Sequence, residues 1–149
     1  MEFVSKFYGI IKNEMAVTLA TSCDQRVTMR LVSPVYYEGS ILIFTDPHSL
    51  KYQQLKRNPY CCVGAGAFFA EAKAEFLGAT MSDANAKWRA VYSEKFPGAF
   101  EEGVAHGGRA AEFVLLKPTK LTGWAFEDGS PSGEGIPTIP FEITMEDDT

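Results

Sequence analysis

A chain of 149 residues is long enough for one compact domain and too short for two with separate cores. Hydrophobic residues make up 46% and charged residues 22%, as in ordinary globular proteins, and no apolar run is long enough to cross a bilayer. A formal charge of −5 excludes a broad electrostatic grip on nucleic acid and leaves room for a local basic pocket that takes a small anion.

The first residues, Met1-Glu2-Phe3-Val4-Ser5-Lys6, lack the apolar middle and small-residue cleavage site of a secretion signal, so a cytoplasmic location is expected. Three cysteines, Cys23, Cys61 and Cys62, make no even disulfide framework and no Cys-x-x-Cys knuckle. They are expected to be reduced thiols. Cys61 and Cys62 should point to opposite faces of a strand, one of them packed as a small core residue.

In chain order, Phe3, Phe7, Ile10 and Ile11 have the spacing of an amphipathic helix over 3–13. Residues 15–22 read as a strand, 23–26 as a turn, and 27–36 as the antiparallel partner. Glu38-Gly39-Ser40 turns the chain into a third strand over 41–45. Asp46-Pro47-His48-Ser49 then opens a helix that Ser49 can cap and that Asn58-Pro59 stops after Arg57. Residues 60–67 and 70–80 read as strands, the second alternating Glu71, Lys73 and Glu75 against Ala72, Ala74 and Phe76. Ser82 can cap another helix, with Ala84, Trp88, Val91 and Tyr92 on one face, ended by Pro97-Gly98. His106-Gly107-Gly108 reads as a flexible turn. Two last strands are expected over 109–116 and 119–126, around Lys117-Pro118. Residues 1–126 would form the barrel domain, and 127–149 an irregular acidic tail rich in Gly and Pro, ordered only if it docks.

Short strands joined by close turns suit a mainly β fold, a small antiparallel barrel with a few helices, because a parallel sheet would need a crossover between each pair of strands. No internal repeat interrupts that pattern.

The stretch 29–55 carries the chemistry. Arg30 stands in mid-strand, followed by Leu31-Val32; the next strand ends in Phe44-Thr45; a turn leads to Ser49-Leu50-Lys51 at a helix start. Singly, these have plain readings: a surface charge, a strand end, a helix cap. Together they suit a phosphate. A helix N-terminus offers unpaired N–H groups and partial positive charge, Ser49 and Thr45 add hydroxyls, and Lys51 adds a full charge. Arg30 can reach the same group or the polar edge of a ring, and the strand backbone at Leu31 and Val32 can hydrogen-bond a flat heterocycle.

That order of residues, continued by Leu55 and Asn58-Pro59, resembles the flavin-binding half of the pyridoxamine 5′-phosphate oxidase-like split β-barrels over roughly 15–80. The resemblance implies an antiparallel, FMN-binding split β-barrel and a homodimer with flavin at the interface. It further implies Arg30, Thr45, Ser49 and Lys51 as phosphate ligands, Leu31 and Val32 as ring contacts, and Phe44 and Leu50 as neighbours of the same cofactor. Lys73, before Gly78, falls where such proteins draw a side chain from the second subunit, although they commonly carry an amide there. Trp124 falls where an aromatic packs by the ring. The implied function is a flavin-dependent oxidoreductase moving electrons between a nicotinamide donor, or a small substrate, and an acceptor. The alternatives are a flavin-binding or sensing protein without turnover, and a deazaflavin- or haem-binding barrel.

Three absences narrow this. Authentic pyridoxamine phosphate oxidases hold their substrate with Arg and His residues near the C-terminus, and 133–149 contains neither. His48 and His106 have no neighbours at metal-ligand spacing, so no metal site is expected. Gly64-x-Gly66 lacks the rest of a dinucleotide fingerprint. No catalytic acid or base is expected from the chain, and neither nucleic acid nor membrane is expected as a partner.

Overall fold

A computed structural model describes residues 2–101 and 110–145. The expected turn at His106-Gly107-Gly108 and the start of the strand expected at 109 lie outside the described residues, as do the last four residues of the tail.

The helix α1 (Glu2–Asn13) buries Phe7 and Ile11, one turn apart, as its spacing requires. β1 (Val17–Cys23) and β2 (Arg26–Val32) form a hairpin across Asp24 and Gln25, whose positive φ angles of 50° and 67° match the twist of two antiparallel strands. β3 (Val35–Tyr37) and β4 (Ser40–Thr45) make a second hairpin across Glu38 and Gly39 in the same conformation. The strand expected over 27–36 is thus two, parted by Ser33-Pro34, because Pro34 has no N–H to give a ladder.

Helix α2 (Leu50–Arg57) begins and ends where the sequence indicates. Ser49 caps it by accepting from the Tyr52 amide, and the chain leaves at Asn58. β5 (Tyr60–Ala65) and β6 (Phe68–Ala79) follow, then a 3₁₀ turn (Asp83–Asn85) and α3 (Ala86–Lys95). The Ser82 side chain makes no capping bond; Asn85 instead donates to the carbonyls of Leu77 and Ala79, at 2.9 and 2.7 Å. The two strands expected around Lys117-Pro118 are one, β7 (Glu112–Ala125), with its register against β6 shifting beside Pro118. A bulge at this point tolerates the proline.

β8 (Ile139–Thr144) corrects the expectation of an irregular tail: it pairs antiparallel with the second half of β7. Gly123 is required there, since a Cβ would stand 2.4 Å from the Ala67 carbonyl oxygen.

The strand order is β2-β1-β5-β6-β7-β4-β3, every pairing antiparallel, with β8 added to β7. Because β2 and β3 are the two ends of that order and only two residues apart in sequence, the sheet curls into a barrel. Its interior holds Leu19, Ile41, Ile43, Val63, Val114, Leu116 and Leu121, with Phe7 and Ile11 of α1 and Leu55 of α2 completing it. A second apolar cluster lies outside the barrel, where α3 covers β3, β4 and the first half of β7: Val35, Leu42, Phe113 and Leu115 pack beneath Tyr92. Three hydrogen bonds fasten α3 there, from Lys95 Nζ to the carbonyls of Ile11, Glu14 and Pro34 at 2.6–2.8 Å. No helix among the described residues is long and apolar enough to cross a membrane.

Candidate functional site

Alternation along β2 and β4 decides which side chains meet at the mouth of the barrel. On β2, Arg30 and Thr28 turn toward α2 while Val27, Met29 and Leu31 turn outward, about 70% exposed. On β4, Thr45 turns inward and is buried; its hydroxyl lies 3.0 Å from that of Ser49. Ser49 also donates to the Asp46 carbonyl at 2.7 Å, which holds the Asp46–Ser49 turn closed at the helix start. With Tyr52 N bound to Ser49 Oγ and Gln53 N to the Ser49 carbonyl, the amides of Leu50 and Lys51 have no acceptor within the helix.

Arg30 donates to the Leu19 carbonyl at 3.1 Å, to Thr21 Oγ1 at 2.8 Å, and to Thr28 Oγ1. Lys51 is half-buried. Its pKa is lowered, first by burial and then by the positive charge of Arg30, against a smaller opposing pull from Asp46. The two cations therefore stand near enough to repel, and neither is in an ion pair with a carboxylate among the described residues. Two neighbouring cations, two hydroxyls and a helix N-terminus are groups that could hold one dianionic phosphoryl group. Asp46 and Glu112 are carboxylates bordering this cradle: Glu112 pairs with Thr45 and engages the Tyr52 side chain, and Asp46 is engaged with the His48 amide and ring at 2.8 and 3.1 Å, which lowers its pKa.

The structure thus gathers Arg30, Thr45, Ser49 and Lys51, with Leu50 contributing an amide. It sorts the other candidates elsewhere. Val32 is in the barrel core. The Phe44 ring packs against Tyr92, Phe100 and Phe113 beneath α3, on the face of β4 opposite Thr45, so only its main chain can meet a ligand in the cradle. Lys73 is on the outward face of β6, with its ammonium 5.8 Å from the centre of the Tyr60 ring. Trp124 is at the end of β7 opposite Glu112, the residue that pairs with Thr45, so the indole does not reach the cradle.

Lys73 and Trp124 share an uncovered outer face with Val27, Met29, Leu31, Tyr60 and Phe69. A hollow of about 280 Å³ dents it between Val27, Tyr60, Cys62 and Glu71. Cys61, by contrast, faces the core, where burial pushes its thiol up to about 12. Among the described residues no group of three or more His, Cys, Asp or Glu side chains could hold a metal.

Residue-by-residue reading missed Thr21, Thr28 and Gln54. Gln54 Oε1 accepts from both threonine hydroxyls at 2.6 Å. The available signal was Thr28 two residues before Arg30 on one strand face, and a glutamine on the buried side of a helix, three residues after Lys51.

No family model matches this sequence, and a search of curated proteins returns no match. Solved structures do match. A protein from Listeria innocua provisionally named pyridoxamine 5′-phosphate oxidase has a TM-score of 0.60 at 14% identity, over 80% of this chain and 96% of its own. An FAD-binding protein from Mesorhizobium loti has a TM-score of 0.60 at 13% identity, over 78% and 90% of the two chains. A haem-binding protein from Mycobacterium smegmatis has a TM-score of 0.68 at 13% identity, covering 97% of this chain and 58% of that one. The chain has the split β-barrel fold of the pyridoxamine 5′-phosphate oxidase-like proteins. Its structural neighbours include proteins that bind flavins and haem.

Proposed function

We propose that this chain is an FMN-binding flavoprotein that works as a homodimer and passes electrons between a nicotinamide donor, or a small substrate, and an acceptor. The observation that carries the reading is the pair of hydroxyls of Thr45 and Ser49, 3.0 Å apart, beside the amides of Leu50 and Lys51, with Arg30 tied to the same helix through Thr21, Thr28 and Gln54 and, among the described residues, no carboxylate paired to Arg30 or Lys51. Arg30 and Lys51 would hold the phosphate with Thr45 and Ser49, and the edge backbone at Leu31 and Val32 would meet the ring. Bound FMN supplies the electron chemistry; the protein's part is to orient the ring, exclude water and set the local charge.

The uncovered outer face supports the dimer. Val27, Met29, Leu31, Tyr60, Phe69 and Trp124 together form the kind of apolar surface that a second copy would bury. Lys73 and Trp124 would then reach toward the partner's flavin and not their own. The same fold in a haem-binding relative offers a rival occupant. The phosphate cradle favours FMN over haem, and His48, the one histidine among the described residues, is held against Asp46 at the surface.

The visible spectrum and mass of whatever copurifies test the cofactor directly: two flavin bands and the mass of FMN are expected, whereas a haem or deazaflavin spectrum would replace the assignment. Charge-assisted hydrogen bonds contribute roughly 1.5–3 kcal/mol each, so Lys51→Ala should weaken FMN binding by about ten- to a hundredfold. Equal affinity in that variant would remove the phosphate site. Steady-state reduction of an acceptor by a nicotinamide donor separates an oxidoreductase from a binding protein.

A further inference from the structure

The direction of Arg30 is set by a neutral side chain on the same helix that carries Lys51. Each threonine hydroxyl has a single hydrogen. Thr21 and Thr28 both commit theirs to Gln54 Oε1, at 2.6 Å, so each Oγ1 turns its lone pairs to Arg30. Nη1 of Arg30 donates to Thr21 and Nη2 to Thr28, so the two branches of the guanidinium are held at once. The amide itself is oriented by Nε2, which donates to the Arg26 carbonyl at 3.4 Å. Gln54 and Thr21 are buried, so this chain of hydrogen bonds is shielded from competing water.

The chemical identity of Gln54 matters as much as its position. A carboxylate there could accept the same two hydroxyl hydrogens, but it would place a negative charge one hydroxyl away from the guanidinium. An apolar side chain would leave the buried Thr21 hydroxyl and the half-buried Thr28 hydroxyl without that acceptor, free to turn their hydrogens toward Arg30, whose guanidinium would keep only the Leu19 carbonyl as a fixed partner. We propose, resting on the phosphate reading above, that Gln54 is a positioning residue: it aims Arg30 at the flavin phosphate from within α2 and leaves the charge of Arg30 uncompensated.

The test compares FMN with riboflavin, which has the same ring and no phosphate, by fluorescence titration of wild type, Gln54→Met, Gln54→Glu, Arg30→Ala and the two double variants. Gln54→Met should lower FMN affinity about fivefold or more and leave riboflavin affinity unchanged; Gln54→Glu should lower the FMN-to-riboflavin ratio about tenfold. The Gln54→Met effect should vanish in the Arg30→Ala background, since that change acts only through Arg30, and the Gln54→Glu effect should shrink there to the direct repulsion between the new carboxylate and the phosphate. A general loss of packing would weaken both ligands alike and would persist without Arg30. An unchanged ratio in Gln54→Met, or an equal drop in the Arg30→Ala background, overturns the inference while leaving the cradle intact. If Gln54→Met does not fold, the Gln54→Glu cycle decides by the same criteria. Wild-type protein with equal affinity for FMN and riboflavin would overturn the phosphate reading, and the inference with it.

Discussion

The barrel wall has two halves that treat their outer faces differently. Over β3, β4 and the first half of β7, α3 lays Tyr92, Trp88 and Phe96 across Val35, Leu42, Phe113 and Leu115, and the apolar surface is closed within the chain. Over β2, β1, β5 and β6 nothing in the described chain covers Val27, Met29, Leu31, Tyr60 and Phe69. Both faces are built from the same alternation of side chains, so burial inside the barrel does not explain the apolar residues of the second. A strand facing water on one side should be polar on that side. The cradle stands where the halves meet, drawing Thr45 from the end of β4 and Arg30 from β2.

Substitutions can break this comparison most strongly in the covered half. Phe113→Ala should cost about 3–5 kcal/mol of unfolding free energy by urea titration, since Phe113 is fully enclosed. Met29→Ala on the open half should change monomer stability by no more than about 0.5 kcal/mol. Equal losses at the two positions would mean that the halves do not differ. Lys95→Met should cost about 2 kcal/mol by the same measurement, because it removes an ammonium from three backbone carbonyls and loosens the helix that closes the covered half.

A third variant, Leu31→Glu, should leave monomer unfolding nearly unchanged and raise the dimer dissociation constant at least tenfold, about 1.4 kcal/mol, as read by sedimentation equilibrium. Retention of a tight dimer would show that the open face is not where copies meet. The smallest effect lies at the boundary. The pKa of Lys51 is lowered by burial and by Arg30, so in the ligand-free fold its charge is unfavourable below that lowered pKa, a cost relieved as pH rises toward the ordinary lysine value. Phosphate binding has the opposite sign: it favours the ammonium, so affinity should be full below the lowered pKa and fall as pH passes through it. Arg30→Ala removes one of the two causes, and the alkaline limb of FMN binding should move to higher pH. An unmoved limb would separate the two cations.

Much of this was legible in the sequence where the determinants are local. Pro47, Ser49 and Asn58-Pro59 set the limits of α2, and with them the cradle's amides, within a dozen residues. The alternation of Glu71, Lys73 and Glu75 with alanines likewise marks β6. What escaped depends on distant partners. β8 reads as tail because the Gly, Pro, Ser and acidic residues around it outweigh the short alternation of Ile139, Phe141 and Ile143; the second half of β7, beyond the reach of β4, supplies the edge that orders it. Phe44 was associated with the cofactor because it precedes Thr45, yet neighbours on a strand face opposite ways. Gln54 escaped because its partners, Thr21 and Thr28, lie about thirty residues away; the β1–β2 hairpin sets the two threonines side by side, and the packing of α2 on β1 brings Gln54 to them.

The two-residue joint at Ser33-Pro34 has one more effect. The ring of strands has a seam there, crossed by covalent bonds and by no ladder, so among the described residues β2 keeps one edge without a neighbouring strand. A planar guest laid along that edge would displace only water, and the wall of the barrel would stay zipped while it came and went.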